Sequence, residues 1–98
     1  MIETWGVNHE EAAFFHPVGA NWSKASIPLS LTQGWQTYSL RWTSSRLTYY
    51  VGNRIVLTIT RHVPHQRMYL VANVAEYVRP AIGNCTGRML IKSVKVWK

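Results

Sequence analysis

From Tyr38 to Thr60 the chain alternates in a way that few folds accept. Tyr38, Leu40 and Trp42 are interleaved with Ser39, Arg41 and Thr43. Leu47, Tyr49 and Val51 follow after Thr43-Ser44-Ser45, and Ile55, Leu57 and Ile59 follow after Gly52-Asn53, interleaved with Thr58 and Thr60. A period of two is the side-chain period of a β-strand, not of a helix. Both breaks fall on turn-forming residues, so the stretch reads as three strands joined by two hairpin connections, an antiparallel meander.

The flanking segments extend this reading. Pro64 ends the pattern. Met68 to Val74 is nearly continuous in apolar residues, which predicts a strand buried on both faces. Pro80 and Gly83 to Gly87 predict a loop, and Met89 to Trp97 a last strand bearing Lys92 and Lys95. Earlier, Ala12 to Phe15 reads as a strand, Asn21 to Lys24 as a loop tip, and Ile27 to Leu31 as a short strand interrupted by Pro28. No stretch shows a 3.6-residue period with a capped start, so no helix is predicted. The fold class is all-β, and an antiparallel β-sandwich is the economical architecture.

Length and charge bound the function. The 98 residues allow one domain with a modest core. No apolar run approaches the roughly 20 residues that span a bilayer, and no charged-then-apolar leader is visible. Only Glu3, Glu10, Glu11 and Glu76 are acidic, against eleven Lys and Arg, a net charge of +7. That balance suits a polyanion, or serves solubility alone. Apart from Lys24, the basic residues are spread from Arg41 to Lys98 rather than clustered, which argues against nucleic acid. Cys85 is the only cysteine, so no internal disulfide forms, and its GNCTGR setting reads as a structural thiol. Asn21-Trp22-Ser23 and Asn84-Cys85-Thr86 are glycosylation triplets that matter only in a secreted eukaryotic setting. His9, His16, His62 and His65 lack metal-ligand spacing; no metal or cofactor is expected.

Three blocks, in order across Gly34 to Lys98, carry a resemblance. GWQTYSLRWTSSRLTYYVGNRIV resembles the "F-H-T-Y-x-L-E-W-T-x-x-x-I-x-W-Y-V-D-G" stretch of glycoside hydrolase family 16. RMYLVANVAEY is similar to that family's "P-M-Y-L-I-L-N-L-A-V-G-G", and MLIKSVKVWK to its closing "M-x-V-D-Y-V-R-V-Y". The resemblance implies a concanavalin A-like jelly roll of two antiparallel sheets that binds sugar in its concave face. It also gives a meaning to the opening MIETWG, which looks like the tail of the family's catalytic strand, E-x-D-x-x-E followed by an aromatic residue and glycine. Glu3 would be the general acid/base. The nucleophilic glutamate and the aspartate between them would lie upstream of Met1.

Retaining glycosidases use two carboxyl groups about 5–5.5 Å apart, one attacking the anomeric carbon and one protonating the leaving oxygen before activating water. With one of the two absent, this chain is expected to be inactive alone. Sandwiches of this kind often run to roughly 200–250 residues, so residues 1–98 are expected to form a single partial domain, the C-terminal portion of a family-16-like domain. Such a piece is expected to be poorly stable, to self-associate, or to need an N-terminal complement.

The resemblance further implies sugar contacts at Trp5, His16, Trp35 and Asn73. His16 would bind the sugar or the acid pair, or is an ordinary exposed histidine. Trp42 alternates with Arg41 and is expected in the core. Asn73, an amide within an apolar strand, needs a partner or the cleft. Several positions depart from the family pattern: Arg41 for glutamate, Gly52-Asn53 for Asp-Gly, Arg67 for proline, Glu76-Tyr77 for paired glycines, and Lys92 for an acid. The expected intact activity is hydrolysis of a β-linked polysaccharide with retention, and the charge favours an anionic one. The rival expectation is a non-catalytic carbohydrate-binding or structural domain of the same fold, in a phage tail or surface protein. An extracellular or virion-associated location follows from the resemblance only.

Overall fold

The computed structural model describes residues 2–5, 10–28, 34–73 and 89–97. It divides into two compact units, Met1–Gln66 and Arg67–Lys98.

The first unit is all-β, with no helix among the described residues. Strands β1 (Ile2–Trp5), β2 (Glu10–Phe15) and β3 (Ser23–Ile27) form one antiparallel sheet in the order β1-β2-β3. Strands β4 (Tyr38–Trp42), β5 (Leu47–Val51) and β6 (Arg54–Ile59) form a second, in the order β4-β5-β6. This is the predicted meander. Its β4–β5 turn closes through the Thr43 N–H donating to the Arg46 carbonyl at 2.9 Å. The β5–β6 turn has Gly52 at φ +57° between the paired Val51 and Arg54, the pattern of a type II′ hairpin with glycine first.

The sheets share one apolar core. Ile2, Ala13, Phe15 and Ile27 from the first sheet meet Leu47, Tyr49, Val51, Leu57 and Ile59 from the second, with Val63 from the segment after β6. Burial raises the Tyr49 phenol above its usual pKa, because the phenolate would sit in the same apolar surroundings.

Three sequence expectations change. First, Ile55 is 57% exposed although the 55–57–59 alternation points it inward. A bulge between Tyr49 and Tyr50 explains it: Tyr49 pairs with Leu57 but Tyr50 with Ile55, so Val56 is an extra residue and the phase of β6 reverses there. Second, Ser23 and Lys24 belong to β3 rather than to a loop tip. The strand ends at Ile27, where Pro28 follows; residues 29–31 lie outside the described ones. Third, Trp42 is 40% exposed. Tyr38, Leu40 and Trp42 pair with Val51, Tyr49 and Leu47 and therefore lie on the core-facing side. However, β2 and β3 cover the β6 side of the second sheet, and β4 is at its far edge. The stripe continues the core but runs out beyond its cover.

The second unit departs most from expectation. Neither 67–73 nor 89–97 forms a strand, and the residues predicted to be buried on both faces are open, with Tyr69 95% and Leu70 74% exposed. Apolar sequence favours a strand, but a strand exists only where a neighbouring strand completes its hydrogen bonds. Neither of these two segments has such a ladder partner among the described residues. Val74, Glu76, Tyr77 and the Cys85 loop lie outside them.

Candidate functional site

The first sheet has two chemically different faces. Its inner face is the core already described. On β2 and β3 the opposite phase carries Ala12, Phe14, Lys24 and Ser26, paired as Ala12–Ser26 and Phe14–Lys24. Continued one step beyond the ladder, this register sets His16 opposite Trp22, and the two rings stack, with centroids 3.9 Å apart and planes 23° apart. His16 also meets Phe14 edge-on at 5.7 Å and 71°. The Lys24 ammonium lies 5.4 Å from the centroid of the same Phe14 ring.

The hairpin explains why these four residues gather. Gly19, at φ +71°, is the midpoint of the β2–β3 connection. Phe14 and Lys24 stand equally far from it along the chain, as do His16 and Trp22, so folding the hairpin brings each pair together. Phe14 is buried although it faces away from the core, because the cluster covers it. Trp22 stays 68% exposed although one of its faces lies on His16.

The ladder puts Glu3 opposite Ala12 and Trp5 opposite Glu10. Both thus occupy register positions in phase with Ala12 and Phe14, on the cluster-bearing side of the sheet. Ala12 to His16 is four steps of about 3.3 Å, so the His16–Trp22 stack lies about 13 Å along the strand from the Glu3 position.

The remaining sequence-derived residues are dispersed. Trp35 follows Gly34, at φ +71°, in the segment leading into β4, and is 67% exposed. Asn73 belongs to the second unit and is exposed rather than enclosed in an apolar strand. The sequence alone does not single out Trp22 and Lys24. Their placement about Gly19, mirrored by His16 and Phe14, is the signal that marks them.

A second, open depression of about 290 Å³ is lined by Trp42, Thr43, Ser44, Pro64 and His65. The Trp42 indole N–H donates to the Pro64 carbonyl across it at 3.0 Å. Among the described residues no three His, Cys, Asp or Glu side chains gather as a metal site, and no helix is long and apolar enough to cross a membrane.

No protein-family model, curated protein or solved structure matches the chain.

Proposed function

We propose that this chain is part of a retaining β-glycan hydrolase of the family-16 type, with Glu3 as general acid/base, on a concanavalin A-like jelly roll of which residues 1–98 supply only a portion. One observation carries the reading. The β1–β2 register puts Glu3 and Trp5 in phase with an exposed aromatic cluster, on the sheet face turned away from the core. A glycosidase needs an acid and, on the same sheet face, aromatic surface on which sugar rings stack. The bare stripe of Tyr38, Leu40 and Trp42 supports the partial-domain element, since a wider first sheet would cover it.

The chemistry follows from a carboxyl group at position 3. It protonates the glycosidic oxygen as the bond to the anomeric carbon breaks, while a second carboxylate bonds to that carbon. It then takes a proton from the water that releases the sugar. In E-x-D-x-x-E the two glutamates are five residues apart, which on a regular strand puts them on opposite faces. A bulge upstream of Glu3 would restore a common face. Trp5, Trp35 and Asn73 remain the further sugar contacts implied by the resemblance. The partner is a polysaccharide, and an extracellular or virion-associated location suits it.

The test has two parts. The pure chain, incubated with laminarin, agarose and other β-glycans, should release no reducing ends, because it lacks the nucleophile. Turnover abolished by Glu3→Gln would show that the second carboxylate lies within residues 1–98 rather than upstream of Met1. The coding sequence should read Glu-x-Asp in frame immediately before Met1. A stop codon there favours the second reading, a non-catalytic carbohydrate-binding or structural domain, which the exposed Trp22 stack supports without any acid.

A further inference from the structure

We propose that the open face of Trp22 is a stacking subsite for a neutral hexopyranose unit of a β-linked glycan, with His16 as the ring that holds it in place. The proposal rests on the glycan-binding part of the reading above but not on hydrolysis.

The first observation is order. An exposed tryptophan ordinarily samples several rotamers, and a ligand must then meet the cost of fixing one. Trp22 is already held by a near-parallel imidazole ring 3.9 Å away. That ring is braced edge-on by Phe14, which is itself buried. A platform fixed before binding keeps the ordering cost out of the affinity.

The second observation is the surface that remains. With one face on His16 and 68% of the residue exposed, the indole presents its other face to solvent. Its N–H has no hydrogen-bond partner among the described residues, which leaves a donor at the rim of the platform. A flat apolar face with a donor at its edge matches a pyranose ring, whose faces carry C–H groups and whose rim carries hydroxyls.

Size and charge then decide between occupants. Trp22 is flanked by Asn21 and Ser23, and the other exposed large apolar side chain among the described residues of the β2–β3 hairpin is Val18, near its tip. A protein partner needs a patch of roughly 800 Å² with an apolar centre, whereas one indole face accommodates one sugar ring. The Lys24 ammonium is engaged over the Phe14 ring, so stacking on Trp22 draws on no charge and suits a neutral sugar. Single-stranded nucleic acid is the less suitable occupant: it needs successive aromatic platforms along a basic track, and the neighbouring strands carry Glu3, Glu10 and Glu11. The stack stands about 13 Å along the strand from the Glu3 position. One short oligosaccharide spans that distance, which makes this a subsite removed from the scissile bond rather than part of the reacting centre.

The experiment titrates laminarihexaose, cellohexaose and β-1,4-mannohexaose into the 98-residue chain at low and high salt, followed by calorimetry and by the indole N–H resonances. At least one of these neutral oligosaccharides should bind and shift the Trp22 resonance more than those of Trp5, Trp35, Trp42 and Trp97. Its affinity should change by less than about twofold with salt, because no charge is there to be screened. Trp22→Ala should weaken binding about tenfold, and Trp22→Phe, which keeps a stacking face, should recover most of the loss. His16→Ala frees the indole and should weaken binding severalfold, while His16→Phe, which keeps a backing ring, should restore it. The resonance shift in the unsubstituted chain decides the question for any variant that fails to fold. Unchanged binding by a folded Trp22→Ala chain, a shift confined to another tryptophan, affinity that falls steeply with salt, or tighter binding of a single-stranded oligonucleotide would each overturn the proposal. Binding of none of the three oligosaccharides would overturn it together with the glycan-binding reading. An upstream sequence lacking Glu-x-Asp would overturn the catalytic reading and leave this subsite intact.

Discussion

Replacing Ile55 and Ile59 separately by valine tests the least obvious element of the fold, the bulge in β6. Both are isoleucines on one strand, and simple alternation makes both core residues. The register between β5 and β6 separates them: Ile59 pairs with Leu47 and is 6% exposed, whereas Ile55 pairs with Tyr50 on the outer side of the bulge and is 57% exposed. Valine keeps the branched Cβ and with it the strand preference, so the change removes one methylene and little else. At Ile59 that methylene leaves a closed core, a loss of about 1 kcal/mol. At Ile55 the group removed is already half in water, and the change should stay within about 0.5 kcal/mol. Equilibrium urea unfolding at fixed protein concentration, followed by circular dichroism, resolves the difference. At a slope of about 1 kcal/mol per molar, Ile59→Val should lower the midpoint by about 1 M and Ile55→Val by less than half as much. Equal shifts would mean that β6 pairs without a bulge and that Ile55 is inside.

Gly52→Ala should cost about 1–2 kcal/mol in the same assay, from the positive φ alone, since a Cβ there meets nothing within 4 Å; Gly52→Asn, better suited to that conformation, should cost less. Tyr49 makes stability fall in alkali: its folded-state pKa is raised above the unfolded value near 10, so its contribution is complete below that pH and is lost as pH climbs through the folded pKa. A Tyr49→Phe chain should lose less stability between pH 9 and about 11. Leu40→Ser, on the uncovered stripe, should shift sedimentation toward monomer with little change in urea midpoint, because Leu40 is already 50% exposed.

The second sheet is largely legible in the sequence because its determinants are local. Alternation marks the strands, and Thr43-Ser44-Ser45 and Gly52-Asn53 mark the turns. The Tyr49–Tyr50 bulge is not legible, because it depends on how two strands match in length and twist. The first sheet is read less well for a related reason. Ser-Lys-Ala-Ser-Ile has weak intrinsic strand preference, and β3 forms because β2 offers it a ladder and Ile27 a place in the core. The opposite holds at 67–73 and 89–97, where the sequence favours strands but no partner completes them among the described residues. Of the candidate site, Glu3 and Trp5 could be read from a motif and His16 from its neighbours. Trp22 and Lys24 are not legible in the sequence, because Asn21 to Lys24 has the composition of a loop tip and a side chain on a loop has no defined face.

Two sets of exposed apolar residues in the first unit look alike by exposure and differ in cause. Tyr38, Leu40 and Trp42 share register with Val51, Tyr49 and Leu47, so they belong to the core side of a sheet and are bare only because the opposing sheet ends short of β4. Apolar neighbours continue the stripe inward, and covering it would extend the same core. Trp22 lies on the far side of the other sheet, where no core continues, and its contacts are a histidine ring and, through Phe14, a lysine ammonium. Burial against a second sheet would take that lysine charge out of water, at a desolvation cost of several kcal/mol. A stripe backed by core residues calls for more protein of its own kind. A tryptophan stacked on a histidine ring on the other face of the first sheet has no such core behind it, so its exposure has a different cause.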